Sequence, residues 1–143
     1  MQLKTLGKFF KTWYPVLLMM VIIFIFSSFP ATQSDEQSGL IVNTLTKVFP
    51  ELGQVKPLVT IIRKSAHFIE YAILGFFSAR AFKLSGHNPF HSIWLSTLYA
   101  ATDEFHQTFI SGRSGEFRDI LVDTLGASFG ASIYFLTHRK KVA

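Results

Sequence analysis

Cysteine is missing from all 143 residues, which excludes disulfides, thiolate nucleophiles and Cys-ligated metals together. Charge is scarce as well. Asp, Glu, Lys and Arg make up 16% of the chain, against about a quarter of a typical soluble domain. Carboxylates are the rarer sign, nine against fourteen Lys and Arg. Internal repeats, low-complexity segments and room for a separate soluble module are also lacking, so one domain over 1–143 is expected. Apolar residues fill the space instead: 49% of the chain is hydrophobic, with 16 Phe. Such a balance points to a membrane protein. The formal charge of +5 does not point to nucleic acid, because the basic residues sit at segment ends, where orientation signals and headgroup contacts put them.

Lys4, Lys8 and Lys11 precede an uncharged run from Thr12 to Ser34 with the core WYPVLLMMVIIFIFSSF. A hydrocarbon layer of about 30 Å takes about 20 helical residues, so a first span is expected at 12–29. Trp13 and Tyr14 stand where an interfacial aromatic belt belongs. A cleaved signal peptide is the rival reading, but no A-x-A-like site follows and Pro30 is poorly placed for cleavage. Residues 30–57 are the one sizeable polar stretch. Ser34 and Gln37 have capping-box spacing, and Leu40, Ile41, Leu45, Val48 and Phe49 recur at helical intervals. An amphipathic helix over 35–49 is expected, in the interface or over the bundle mouth; a solvated linker helix is the plainer alternative. Pro50, Gly53 and Pro57 end it. Further spans are expected at 58–82, 90–109 and 117–137, joined by turns at SGHNP (Ser85–Pro89) and SGRSG (Ser111–Gly115). The fold class is thus all-α: a polytopic four-transmembrane-helix bundle with a short amphipathic extracytoplasmic helix.

Orientation follows from the basic residues. The N-terminus, the Arg80–Lys83 corner and the C-terminal tail hold eight of the fourteen, while the segment from Ala31 to Lys56 holds two, offset by Asp35, Glu36 and Glu51. Both termini are therefore expected in the cytoplasm. Three spans then bring polar ends to one outer face: Arg63 to Glu70, Asp103 to Gln107, and Arg118 to Asp123. The 21 residues from Asp103 to Asp123 alone hold five of the nine carboxylates. Ions at membrane depth cost several kcal/mol unless paired or wet, so a polar pocket at that face is the simplest account.

Spacing sharpens the convergence. Arg63, His67 and Glu70 fall at i, i+4 and i+7 on one helix stripe. Asp103 and Gln107, like Asp119 and Asp123, are four apart, and paired carboxylates repel unless something positive lies between them. Arg63, Lys64, Arg113 and Arg118 are the candidate cations, with His67 and His106 left to respond to pH. Three chemistries fit. Arg113 and Arg118, beside a helix N-terminus, can clamp a lipid phosphate or an anionic cell-wall precursor. His67, Glu70, His106 and the aspartates can hold a hard ion or act as base and acid. A His–carboxylate proton relay is the third, with little scaffold in four spans for alternating access. Against all three stands a closed network that only fixes helix register. Gly126 and Gly130, with Ala127 and Ala131 beside them, read as close helix packing.

RKSAHFIEYAILG (Arg63–Gly75), DEFHQTFISGRSGEFRDILVDTLG (Asp103–Gly126) and FSSFPATQSDEQSG (Phe26–Gly39) together resemble the VanZ-like family, from about Tyr14 to Leu136. Members are small multi-pass bacterial membrane proteins, and the founding member is linked to low-level teicoplanin resistance. The resemblance implies location and an antibiotic phenotype, without a reaction. Its recurrent polar residues correspond to Arg63, Lys64, His67, Glu70, Asp103, Glu104, Gln107, Gly112, Arg113 and Asp119. Asp123 stands where the family usually has Asn, and Ser111 where it often has Pro. His67, Glu70, Asp103, Glu104 and Asp119 are the candidate catalytic groups. Arg63, Lys64, Gln107, Arg113 and Arg118 are the candidate ligand contacts. No particular metal or cofactor follows. The expected function is recognition or modification of an anionic lipid-linked or cell-envelope ligand at the bacterial cytoplasmic membrane; the alternative is a membrane protein whose buried charges only fix packing.

Because native cysteine is absent, single engineered cysteines report topology cleanly. We predict that Gln33→Cys and Ser114→Cys react with an impermeant thiol reagent in intact cells while Gly86→Cys stays silent; the opposite pattern would invert the orientation.

Overall fold

The computed structural model describes residues 2–55 and 57–138, the side chains of residues 2–6 excepted. These fold into α1 (Gln2–Ser27), α2 (Ala31–Val48), a 3-10 turn (Pro50–Gln54), α3 (Leu58–Leu84), α4 (His91–Gln107) and α5 (Phe117–Thr137). No strand occurs among the described residues. The side chain of Lys4, and Lys56, Arg139, Lys140 and Lys141, all used to orient the chain, lie outside them. Two helices, over Gly7–Ser27 and Phe117–Thr137, are long and apolar enough to cross a membrane. By contrast α3 carries Arg63, Lys64, Glu70, Arg80 and Lys83, and α4 has 17 residues, about 25 Å of helix.

The helices run side by side with alternating direction. Trp13 of α1 lies edge-on to Phe82 near the end of α3, 5.1 Å between centroids, while Ile23 shares a core with Tyr71 and Leu74; α1 and α3 are antiparallel. Thr97 and Thr124 meet at 3.1 Å, and Glu104 reaches Glu116, so α4 and α5 are antiparallel too. Between α3 and α5 the register is parallel and very tight. A Cβ on Gly126 would strike the carbonyl of Phe68, one on Gly130 that of Ala72, and one on Gly75 that of Ala127. The glycine stripe of α5 is therefore a backbone contact surface, as its spacing suggests.

Polarity is inverted relative to a water-soluble protein. Ser27, Ser78, Ser92, Ser96, Asp103, Glu104, Gln107 and Asp123 are buried, while Leu17, Phe24, Trp94, Leu98, Phe105, Leu125 and Phe129 are exposed. Apolar surface on that scale has no reason to face water, and it suits lipid.

The second helix departs from expectation. It starts at Ala31, four residues before the expected position 35, so Ser34 and Gln37 lie within the helix and form no capping box. Pro30 turns the chain into it, and the first free N–H, that of Ala31, donates to the carbonyl of Ser111 at 3.1 Å. That loop acceptor does the work of a cap. The apolar stripe is also turned outward: Leu40, Ile41, Val48 and Phe49 are exposed, and the buried residue of α2 is Ser38.

Two substitutions separate tight from open glycine positions. We predict that Gly130→Val, which must displace the Ala72 backbone, costs at least about 1–3 kcal/mol. Gly39→Ala, inside α2 with nothing within 4 Å, should gain about 0.5–1 kcal/mol. Thermal melting of the detergent-solubilised protein reads both.

Candidate functional site

The start of α3, the end of α4 and the start of α5 meet where the polar residues cluster. Gln107 ties the two carboxylates of α4 to the turn that follows it. Its amide N–H groups donate to Asp103 Oδ2 at 3.2 Å and to Glu104 Oε1 at 3.3 Å, and its Oε1 accepts from Arg113 Nη1 at 3.1 Å. The second oxygen of Glu104 accepts the backbone N–H of Glu116 at 2.8 Å, just before α5 begins. Gly115 makes that approach possible, since a Cβ there would sit 2.6 Å from the Glu104 carbonyl. Both carboxylates of α4 are 3% exposed and so are built into the joint, away from solvent.

Arg113 occupies the turn between α4 and α5, which Gly112 opens with a φ of 75°. Besides its bond to Gln107, its Nε donates to the carbonyl of Phe29 at 3.0 Å. With the Ala31–Ser111 bond, this fastens the α1–α2 corner to the turn. Arg113 makes no ion pair among the described residues. Burial, then the nearby charge of Arg63, lowers its pKa, opposed by Asp103, Glu104 and Asp35; a guanidinium starts so high that it remains charged. The other cations are spoken for. Arg63 pairs with Asp35 of α2 at 3.0 Å, and Lys64 pairs with Asp119, with Glu116 at 3.9 Å.

Two cavities flank Arg113. The smaller, about 70 Å³, is lined by Arg63, Lys64, His67, Gln107, Arg113, Glu116, Asp119 and Asp123 among others, and has room for a few waters. The larger, about 230 Å³, lies between α1, α2 and α3 and again meets Arg63, His67 and Arg113, now with Glu70, Ser34, Ser38, Phe26 and Ile41. Asp123, which lines the smaller one, is fully buried, and neither of its oxygens has a hydrogen-bond partner among the described residues. His67 Nδ1, also without a partner, is 3.9 Å from Asp123 Oδ1, beyond hydrogen-bond range.

A family model matches residues 12–138, all of the helical body except the start of α1. The chain belongs to the VanZ/LLP1 family. No curated protein and no solved structure matches it.

Set in this VanZ/LLP1 chain, the expected site residues divide. Arg63, Lys64, His67, Gln107, Arg113 and Asp119 line the smaller cavity, and Arg63, His67 and Glu70 share the larger one, as their single stripe requires. Arg118 does not join them: it is exposed and lines neither cavity, so a two-arginine clamp is not formed. Arg118 and Asp119 are successive helix positions, about 100° apart, and Asp119 takes the inward one. His106 also leaves the cluster. It stacks on Phe24 at 4.6 Å and meets Ser28 Oγ at 3.2 Å, so it cannot share an ion with His67 and Glu70. No three His, Asp or Glu among the described residues come together to hold a metal.

Sequence reasoning missed Asp35, Glu116 and the Phe29 carbonyl. Asp35 had a signal, an acid inside an amphipathic helix opposite an unpaired Arg63; the backbone groups had none.

Two predictions follow the division between built-in and exposed groups. Gln107→Leu strands two carboxylates and a guanidinium, and losing partners for buried groups costs about 1–3 kcal/mol each; we predict a lower melting temperature and less protein in the membrane. Asp123→Asn should leave both unchanged, because the amide matches the buried carboxyl in size, whereas Asp119→Asn, which deprives Lys64 of its partner, should lower the melting temperature.

Proposed function

We propose that this protein recognises or modifies an anionic lipid-linked or cell-envelope ligand at the outer leaflet of the bacterial cytoplasmic membrane, and thereby changes glycopeptide susceptibility. One observation carries the reading: Arg113 lines both cavities without an ion pair among the described residues. Its fixed fork of N–H donors has two committed to Phe29 and Gln107, and a guanidinium offers five. Phosphate and carboxylate are the groups that match such a fork.

Four spans underlie the proposal. Support comes from the side-by-side alternation of α1, α3, α4 and α5 and from the exposed apolar residues on each of them. If α1 and α5 cross, α3 packed along both has the same surroundings. Catalysis, where it occurs, falls to His67 and Glu70, which line the larger cavity without a hydrogen bond among the described residues. Asp103, Glu104 and Asp119, by contrast, are engaged in holding the helices.

A second reading has its own observation. The closed set of Gln107, Asp103, Glu104 and the Glu116 N–H is what a network that only fixes register would look like, with function exerted through a partner. Teicoplanin susceptibility of a sensitive host separates the two. We predict that Arg113→Ala and Glu70→Gln each abolish any protection at unchanged membrane levels. Disappearance of both variants from the membrane would favour the structural reading, and full protection by both would remove the site.

A further inference from the structure

The larger cavity carries charges of both signs that do not meet. Arg63 is neutralised by Asp35 at 3.0 Å, which leaves Arg113 as its cation without an ion pair and Glu70 as its carboxylate without one, among the described residues. Neither is within 4.0 Å of the other, or an ion pair would join them. Opposite charges left open around one half-enclosed space of about 230 Å³ form a template for a ligand that itself carries both. A purely anionic headgroup would satisfy Arg113 and leave Glu70 facing it, a like-charge contact that costs binding.

The walls say where the rest of the ligand goes. Phe26, Ile41 and Ile62 line the cavity beside the polar Ser34, Ser38 and Gln37. Phe26 and Ile41 are each about half exposed, so the cavity opens onto the apolar outer surface and not only toward water. An acyl chain fits such an exit; a soluble metabolite would gain nothing from it.

We propose that this cavity is a headgroup site for a phospholipid that carries a primary ammonium, of the phosphoethanolamine class, with Arg113 on the phosphate and Glu70 on the ammonium; it rests on the reading above only in giving Arg113 a phosphate, and narrows the ligand from an anionic to a zwitterionic one.

Native mass spectrometry of the full-length protein in detergent, offered equal amounts of phosphatidylethanolamine, its mono- and dimethylated forms, phosphatidylcholine and phosphatidylglycerol with identical chains, tests this without relying on a variant. Retention should fall stepwise as N–H donors are replaced by methyl groups, and phosphatidylethanolamine should exceed phosphatidylglycerol by about tenfold, the worth of one charge-assisted hydrogen bond. Glu70→Gln should erase that preference while Arg113→Ala lowers retention of every lipid. Equal retention across the methylated series, or a preference unchanged by Glu70→Gln, overturns the proposal. If phosphatidylglycerol then still depends on Arg113, the anion reading survives; if Arg113→Ala changes nothing, both fall.

Discussion

The backbone contact between α3 and α5 is the constraint on which the rest depends. Gly126 and Gly130 let α5 lie against the carbonyls of Phe68 and Ala72, closer than any side chain would permit. In that parallel register, Lys64 falls opposite Asp119 and His67 opposite Asp123. Two helices of like direction must be linked by a third running back, and α4 is that helix. Its end thereby arrives beside both starts, with Asp103, Glu104 and Gln107 aimed into the gap.

Burying Asp103, Glu104 and Gln107 together is tolerated because each is given a partner locally. An amide at Gln107 is well chosen, since one planar group both donates to two carboxyls and accepts from a guanidinium. A carboxylate there would add a third negative charge, and an alkyl group would satisfy none. Where partners run out, two of the unpaired groups, His67 and Asp123, line the smaller cavity. Tyr71 Oη, Asp103 Oδ1 and the hydroxyls of Ser27, Ser78, Ser92 and Ser96 are likewise buried without a hydrogen bond among the described residues, and lie away from both cavities.

Much of the fold was legible because its signals are local. Proline, glycine and charge bound each helix, and the 3.6-residue period placed Arg63, His67 and Glu70 on one stripe and the glycines on another. The start of α2 was not legible, since its cap is a carbonyl from a loop eighty residues away in the chain (Ser111 to Ala31). Arg118 and His106 were misplaced for a different reason. Both lie near helix ends where polar residues occupy several faces, and the rotational phase of the helix is decided by packing against neighbours. The pairing of Arg63 with Asp35 depends on where α2 comes to rest, which no spacing within either segment encodes.

The Arg113 side chain grips the Phe29 carbonyl with the same planar group that faces the cavities. If the cavity takes the proposed ligand, seating of the α1–α2 corner and occupancy of the cavity share this one side chain. On the proposed anion reading, an anion that rotated the guanidinium would weaken the hold on that corner, and release of the corner would change anion affinity by the same factor.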